Sequence, residues 1–347
     1  MTPRRLARGD RISAGWVLAH EVRGADGRVA LDKGRVLSEA DVALLSDLRW
    51  AELHVLEIGS EDMHEDEAGR RLAEAVAGEG VEVGEMTGGA WPLLARWRGV
   101  FDIDEPHLAR INAIPDLVVY TLPNAYVALE GELLGRAKII PFATRRERVQ
   151  HAEAISVESS GLLRVRRFAP ARVAVLAQET LDERSLARAR GAFEEKLAFF
   201  GSELIGVRAV PSQPEAVGSA LSAAVGDGAQ LVVLAGSKPM DPLDASLRAL
   251  ERAGARTEKL GVPTHPGTLL WLAYLEGVPV VGAPSCGLFS KATALDLLLP
   301  RLLAGQRISA ADLAALGPGG LLTRDMAYRF PPYRAAGNRG ELLQMAE

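Results

Sequence analysis

The sequence predicts an α/β fold in which residues 171–305 form a three-layer α/β/α domain around a mostly parallel sheet. Segments with helical periodicity alternate with short apolar runs, and such alternation is typical of parallel sheets. The runs are almost entirely apolar, as expected of strands that helices cover on both faces, and lie at residues 173–177, 231–235 and 278–282. A smaller mixed α+β region, residues 1–160, precedes this domain and could comprise two subdomains. A C-terminal tail, residues 306–347, follows it.

The N-terminal region is predicted to begin with a hairpin, because residues 15–23 and 28–31 have strand character on either side of turn residues. Ser38 is expected to cap a helix, with Asp41 three residues later as an imperfect capping box. Further elements are predicted as a strand at 53–56, a helix at about 62–77, a short helix at 91–97 with Pro92 in its first turn, a helix at 105–114, strands at 118–122 and 137–140, and a charged helix at 143–160 that leads into a linker.

In the second half, the strand at 173–177 is followed by an amphipathic helix that presents Phe193, Leu197 and Phe200 and ends at Gly201. The remaining predicted elements are a strand at 203–210, a helix at 215–225, the strand at 231–235, a helix at about 243–253, a hairpin-like segment around Pro266-Gly267, the strand at 278–282 and a helix at about 290–303.

Composition excludes several classes of protein. The formal net charge of −5 gives no electrostatic reason to expect nucleic-acid binding, which usually requires a basic face. No apolar run reaches the roughly 18–20 residues of a membrane span. Cys286 is the single cysteine, so no internal disulfide can form, and no Cys/His cluster has zinc spacing. We therefore expect a soluble cytoplasmic protein with no bound metal and with neither nucleic-acid nor membrane partners.

Candidate ligand-binding segments follow the three apolar strands, because ligands of parallel sheets sit outside the carboxyl ends of the strands. These segments are rich in Gly, Pro or Ser and span residues 178–183, 235–244 and 282–291. The last one opens a helix, whose N-terminus favours phosphate, and Lys291 could add a positive charge there. The alternative is that all three are ordinary strand-to-helix turns.

Three of these features recur in a specific order. First, Gly236 follows a strand and precedes Asp241 and Asp244. A Pro266-Gly267 turn comes next along the chain. Finally, the last strand leads into the segment 282–287, which Ser290 follows. In this order and spacing, residues 171–305 resemble the molybdopterin-binding domain shared by molybdopterin molybdotransferase and molybdopterin adenylyltransferase.

The upstream region adds a narrower resemblance. Asp32 to Ser38, Met63 to Ala68 and Lys138 to Ala143 resemble the molybdopterin-binding portion that some bacterial molybdenum cofactor cytidylyltransferases carry beside their nucleotidyltransferase domain. Residues 284–286 and 290–291 also fit that subgroup better than they fit the molybdotransferases.

The resemblance implies that the chain binds molybdopterin, or its molybdenum or nucleotide adduct. It implies cofactor-binding roles for Gly236, Ser237, Lys238, Pro266, Gly267, Pro284, Ser285, Cys286, Ser290 and Lys291. Asp241 and Asp244 would be the catalytic acids if the chain is an enzyme. Expected partners are a molybdenum enzyme or another cofactor-biosynthesis protein, and we expect a homo-oligomer.

The sequence departs from the family pattern at several points. Ala235-Gly236 replaces a doubled glycine, Thr264-His265 stands where a Lys is expected, and the acidic pair is offset by one residue. The Asn-Pro of the final loop is missing. The glycine-rich nucleotidyltransferase motif is also missing, so cytidylyl transfer is not expected.

Three hypotheses follow. We favour a binding protein that acts in cofactor biosynthesis, insertion or delivery. The second hypothesis is an active molybdotransferase-like enzyme that uses Asp241 or Asp244, and the third is a scaffold or regulator that kept the fold without the ligand.

Other polar residues have simpler interpretations. Cys286 is either a sulfur-chemistry residue or a small turn residue, and His265 is interpreted as a pocket-wall residue. His64 and the three acids after it are interpreted as solvated charges at a helix start.

Overall fold

The chain forms two compact units in a computed structural model that describes residues 1–159, 161–178 and 182–333. Unit 1 comprises Met1–Trp97, Phe101–Asn124 and Glu130–Val165. Unit 2 comprises Arg98–Val100, Ala125–Leu129 and the residues from Arg166 onward.

Unit 1 is a mixed α+β structure. Its helices are α1 (Glu39–Asp47), α2 (Glu65–Val76), α3 (Glu105–Asn112) and α4 (Arg146–Glu158). The strands of the first half of the chain are β1 (Thr2–Ala7), β2 (Val17–Leu18), β3 (Val22–Arg23), β4 (Val29–Leu31), β5 (Glu52–Glu57), β6 (Asp62–His64), β7 (Val81–Val83), β8 (Ala90–Ala95), β9 (Gly99–Ile103), β10 (Leu117–Thr121), β11 (Val127–Ala128), β12 (Leu133–Ile139), β13 (Ala143–Arg145) and β14 (Leu163–Arg167). The chain passes between the units within β9 and β14, and β11 belongs to unit 2.

The strands within unit 1 pair antiparallel, in the orders β1-β5-β2, β3-β4, β10-β12-β8-β7 and β13-β6. The predicted hairpin is confirmed only at its turn end, as β3-β4 with Val22 opposite Leu31. The start of the predicted first strand instead forms β2, which pairs with β5 in another sheet. The predicted capping box is also confirmed: the Asp41 N–H donates to Ser38 Oγ over 3.2 Å, and the Ser38 N–H donates to Asp41 Oδ2 over 2.9 Å.

The predicted helix at 91–97 is wrong, because residues 90–95 form β8 in the middle of an antiparallel sheet. Pro92 fits the first turn of a helix, but it also fits a strand where no N–H is needed. It stands opposite Arg136 of β12, and its carbonyl accepts the Gly84 N–H over 2.9 Å. Pairing with β7 and with the distant strand β12 therefore decides this element, and the local pattern does not show it.

Unit 2 contains a six-stranded sheet in the order β16-β15-β17-β20-β19-β18. The strands are β15 (Arg172–Ala177), β16 (Glu203–Ala209), β17 (Leu231–Ala235), β18 (Arg256–Leu260), β19 (Trp271–Leu275) and β20 (Val278–Ala283). The first four in the sheet are parallel, whereas β19 and β18 are antiparallel. The mostly parallel sheet, with β15, β17 and β20 side by side, is confirmed. The hairpin-like segment predicted around Pro266-Gly267 is also confirmed, as the antiparallel pair β18 and β19.

Helices cover both faces of this sheet, which gives the predicted three layers. They are α5 (Glu183–Phe199), α6 (Pro214–Gly226), α7 (Ala245–Arg252) and α8 (Ala294–Leu303). Val173 and Val175 pack with Phe193 of α5 and Leu298 of α8. Ala174 and Leu176, on the opposite face, pack with α6 and α7 through Val217, Leu221 and Leu250.

The tail contains α9 (Ala310–Ala314) and a 3₁₀ helix at Arg324–Arg329. No helix within residues 1–159, 161–178 and 182–333 is long and apolar enough to cross a membrane. Over the same residues, no group of three or more His, Cys, Asp or Glu side chains is placed to hold a metal ion.

Candidate functional site

The three apolar strands of unit 2 end at a common edge of the sheet, which we call the carboxyl edge. Ala177 lies opposite Ala235, and Ala235 lies opposite Ala283. Backbone hydrogen bonds continue past the strand ends: the Gln178 N–H donates to the Ala235 carbonyl over 2.8 Å, and the Gly236 N–H donates to the Ala283 carbonyl over 2.9 Å. The segments that follow the strands therefore begin side by side, although residues 179–181 of the first lie outside the described residues.

Asp244 organises the segment after β17. Its Oδ1 accepts the Ser237 hydroxyl over 3.1 Å and the Ser246 N–H over 3.0 Å, and its Oδ2 accepts the Lys238 N–H over 2.9 Å. It is the N-cap of α7 and is only 7% exposed. Both carboxylate oxygens are therefore engaged in holding the loop, which is a structural role.

Trp271 ties this loop to the neighbouring antiparallel strand β19. Its Nε1–H donates to Ser237 Oγ over 2.8 Å, and both side chains are buried. Its ring lies directly over Gly282, where a β-carbon would stand 1.8 Å from the nearest ring atom. Glycine at 282 is therefore required by the tryptophan above it.

The remainder of the segment is open to solvent. Lys238 and Asp241 are exposed, and Met240 and Leu243 are 69% and 70% exposed. Asp241 Oδ1 accepts the Leu243 N–H over 2.9 Å, which forms a turn local to the loop. Of the two predicted acids, Asp241 is thus the one that a ligand can reach.

The Pro266-Gly267 turn packs against the start of α8. The Ala294 N–H donates to the Pro266 carbonyl over 3.1 Å. Gly267 has a φ of 115°, and a β-carbon there would stand 2.6 Å from the Ala294 β-carbon. This turn and the segment after β20 therefore approach closely at a position that only glycine permits. His265 beside it is exposed.

The segment after β20 contains a 3₁₀ helix, Ser285–Leu288, and then α8. Pro284, Ser285 and Ser290 are partly buried in it. The backbone of Cys286 lies in the 3₁₀ helix, but its side chain is outside the described residues. A small cavity beneath the segment is lined by Gly267, Pro284, Thr293 and their neighbours, and it has no room for a water molecule. A ligand would therefore bind at the outer surface of this edge.

Lys291 and the N-terminus of α8, the two features predicted to bind an anion here, already interact with carboxylates of the protein itself. The Lys291 ammonium forms an ion pair with Glu195 of α5. The N-terminus of α8 is closed by its own capping box, in which the Thr293 N–H and hydroxyl each donate to Asp296 Oδ2 over 3.0 Å. The Asp296 carboxylate therefore already occupies the first turn of α8. Of the two lysines predicted to bind the ligand, Lys238 is exposed, whereas Lys291 is partly buried and paired.

A buried ion pair beneath this segment was not predicted. Lys196 Nζ lies 2.7 Å from Asp296 Oδ1, and both side chains are fully buried. Lys196 also donates to the Ser290 carbonyl over 2.6 Å, and the Tyr333 hydroxyl donates to Asp296 Oδ1 over 2.9 Å. Burial raises the pKa of Tyr333 well above its usual value, and the negative charge of Asp296 adds to the effect.

The sequence contains a signal for this pair. Lys196 lies within the apolar stripe of Phe193, Leu197 and Phe200, a position where a solvated lysine is not expected. Asp296 is three residues after Thr293, in the pattern of a capping box. The pairing of the two required the three-dimensional structure.

Comparison with known proteins gives the following. No family model matches the chain, and no curated protein matches it. Among solved structures, a molybdopterin biosynthesis MoeA protein from Pyrococcus horikosii is 14% identical over 69% of this chain and 78% of that chain, with a TM-score of 0.31. A putative molybdenum cofactor biosynthesis protein from Corynebacterium diphtheriae is 14% identical over 42% of this chain and 99% of that chain, with a TM-score of 0.25. A molybdenum cofactor biosynthesis protein from Pyrococcus furiosus is 17% identical over 70% of each chain, with a TM-score of 0.25. At these identities and TM-scores, the likenesses do not decide an activity for this chain.

Proposed function

We propose that the chain binds molybdopterin, or its molybdenum or nucleotide adduct, at the carboxyl edge of unit 2 and acts in molybdenum cofactor biosynthesis, insertion or delivery. The observation that carries this proposal is the meeting of the three segments that resemble the molybdopterin-binding family. Gly236 is hydrogen-bonded to the end of β20, and Pro266 is hydrogen-bonded to the start of α8.

The chemistry of this edge suits an anionic ligand with one phosphate. The short segments that begin at Gly236 and surround Ser285 contain Gly, Pro and Ser, which lets backbone N–H groups approach an anion. Lys238 supplies an exposed positive charge, whereas Lys291 is already paired with Glu195. We therefore assign phosphate contact to Lys238 and the loop backbone, and we place Asp241 toward the reactive end of the ligand.

A titration of the full-length chain with molybdopterin, both free and adenylylated, tests the proposal. We expect saturable binding that Lys238→Met weakens by about tenfold, since a hydrogen bond to a charged group is worth about 1.5–3 kcal/mol. Arg248→Met is the matched control, because it removes an exposed cation from α7 of the same unit. Absence of saturable binding by the unmodified chain would support the scaffold hypothesis instead.

Carrier and enzyme are separated by a second assay. Molybdate- and nucleotide-dependent metal insertion would be measured on the same preparations. Binding without insertion supports a carrier, whereas insertion that depends on Asp241 supports a molybdotransferase-like enzyme.

A further inference from the structure

A groove opens in unit 1 between the end of α3 and the start of α4. Its volume is about 450 Å³, within the range of about 300–1,000 Å³ that is usual for small-molecule sites. Half of its lining residues belong to α3 and the turn that follows it, and half belong to residues 145–151. The carboxyl edge of unit 2 contains none of these residues, so the groove is a separate candidate site.

Positive side chains dominate the polar lining, and we call this space the arginine groove. Arg110, Arg145 and Arg148 line it together with His151, and Glu147 is the one acid among the described residues that line it. With the histidine neutral, three arginines and one glutamate give the lining a formal charge of +2. Cations gathered in one cleft raise the local concentration of an anionic ligand, which favours its binding.

The carboxylates that hold two of these arginines lie outside the lining. Arg110 donates to both oxygens of Glu158, over 2.6 and 3.2 Å, and Arg148 donates to Asp116. Neither acid lines the groove. Each contact uses only one or two of the five N–H donors of a guanidinium group. The acids therefore fix the position of these arginines and leave donors for a ligand.

Arg145 is the least engaged of the three arginines. Its Nη1 lies 3.6 Å from Asp62 Oδ1, its side chain is 55% exposed, and among the described residues it donates no hydrogen bond. Arg145 is also the N-cap of α4 and provides that helix with no side-chain acceptor. The positive end of the helix dipole therefore lies beside the groove without a side-chain cap, which adds to the attraction for an anion.

The rest of the lining is apolar and consists of residues 113–115, Ala-Ile-Pro. Ile114 is buried, whereas Ala113 and Pro115 are exposed. A bare phosphate ion would leave this part of the groove in water. A ligand with an apolar body would cover it and gain the free energy of burying apolar surface. The groove therefore suits an anion that carries an apolar body.

A phosphomonoester presents three acceptor oxygens and about two negative charges. It matches three guanidinium groups better than a carboxylate does, because a carboxylate has two oxygens and one charge. We propose that the arginine groove binds a small phosphomonoester, with its phosphate at Arg110, Arg145 and Arg148 and its apolar body against residues 113–115. Binding is reversible and requires no pterin ring. The inference goes beyond the proposed function, because the site lies in unit 1 and uses no residue of the carboxyl edge.

Three anions test this recognition in calorimetric titrations of the intact chain. Phenyl phosphate has both features, phenyl sulfate has the same ring with less negative charge, and inorganic phosphate lacks the ring. We expect saturable binding of phenyl phosphate. Phenyl sulfate should bind about tenfold more weakly, because it brings less charge to the arginines. Inorganic phosphate should also bind about tenfold more weakly, because it buries no apolar surface.

Substitutions at adjacent positions locate the site. Arg145→Gln should weaken the binding of phenyl phosphate at least about tenfold, because a charged hydrogen-bond donor is lost. Arg146→Gln is the matched control, since it removes the same charge from the next residue, which does not line the groove, and it should leave binding unchanged. Glu147→Gln should strengthen binding several-fold, because a negative charge is removed from beside the phosphate.

Hydrogen exchange identifies the bound segments and separates this inference from the proposed function. Phenyl phosphate should protect residues 110–115 and 145–151. Absence of saturable binding, equal affinity for the three anions, equal effects of Arg145→Gln and Arg146→Gln, or protection confined to residues 236–244 and 284–291 would overturn the inference. Each of these results would leave the molybdopterin proposal standing. Failure of molybdopterin to bind the carboxyl edge, with residues 145–151 still protected by phenyl phosphate, would have the opposite meaning.

Discussion

Asp241 and Asp244 lie in one loop but have different surroundings, so their substitution should have different consequences. Asp241→Asn keeps size and exposure and leaves the loop intact, so pterin binding should persist or strengthen slightly. Metal insertion, if the chain performs it, should fall by about 10²–10⁴-fold, the usual contribution of a positioned acid or base. Binding titrations and the insertion assay on this variant measure the two effects.

Asp244→Asn is the informative counterpart. An amide nitrogen would have to face either the Lys238 N–H or the N–H groups of α7, so the loop should lose a hydrogen bond on one side. We expect weaker pterin binding and lower stability together. An Asp241→Asn variant that loses pterin binding while it remains folded would contradict the role assigned to that residue.

The buried Lys196–Asp296 pair gives a second residue-scale prediction. Lys196→Met should lower the free energy of unfolding by about 3–5 kcal/mol, because it leaves Asp296 buried without its counter-charge. Lys291→Met removes an ion pair at a partly exposed position and should cost less than about 1 kcal/mol. Urea unfolding of both variants measures the difference. Equal losses in the free energy of unfolding would show that the buried ion pair stabilises the fold no more than the partly exposed one.

Prediction from sequence was uneven at this scale. The positions of Gly236, Gly267 and Gly282 could be predicted, because these sites favour glycine and leave a motif: the first two have positive φ, and the Trp271 ring lies over the third. The partners of Ser237 and Lys291 could not, since Trp271 and Glu195 come from other elements. The structural role of Asp244 did have a local signal, because Asp244 caps α7 and accepts hydrogen bonds from Ser237, Lys238 and Ser246 in the same segment.

At the scale of the element, the capping box of α1 can be tested alone. The Arg35 guanidinium and the Ser38 backbone lower the pKa of Asp41 to about 2. Asp41→Ala should destabilise unit 1 by about 1 kcal/mol at neutral pH, as loss of a cap usually does. Asp47→Ala, at the exposed C-terminal end of the same helix, should be neutral or slightly stabilising.

The pH dependence of this effect has a definite sign. A carboxyl group whose pKa is lower in the folded state stabilises the fold above its ordinary pKa of 3.8, and that contribution is lost as pH falls toward 2. The stability difference between the unmodified chain and Asp41→Ala should therefore shrink between about pH 4 and pH 2. Thermal unfolding over that range measures it, and a constant difference would argue against the charge as the cause.

Elements with local signals were predicted well, and β8 shows why others were not. The capping box at Ser38 and the apolar run of β17 carry their information within a few residues. β8 carries Pro92, which suits a helix start equally well, and its identity as a strand comes from β7 and β12 on either side. Tertiary pairing outweighs local preference in such a segment.

At the scale of the whole molecule, the sequence predicted the layers of unit 2. It did not predict that two short segments from the first half of the chain, Arg98–Val100 and Ala125–Leu129, belong to that unit. Val127 lies in the first half of the sequence, within the region predicted to belong to the N-terminal part. It is nevertheless 1% exposed and packs in the core of unit 2 with residues such as Val173 and Phe193. No periodicity marks β11, which is only two residues long and pairs with Val100 of the same unit.

If β11 belongs to the core of unit 2, a cavity at Val127 should destabilise unit 2 and not unit 1. Val127→Ala should destabilise unit 2 by about 2 kcal/mol, since two buried methyl-sized groups are lost and a cavity remains. Val119→Ala in β10 removes the same groups from a position that is 3% exposed in unit 1. Hydrogen exchange should accelerate in residues 173–177 and 231–235 for the first variant and in residues 133–139 for the second. If Val127→Ala instead accelerated exchange mainly in residues 133–139, Val127 would belong to unit 1 in solution, and the assignment of β11 to the core of unit 2 would be wrong.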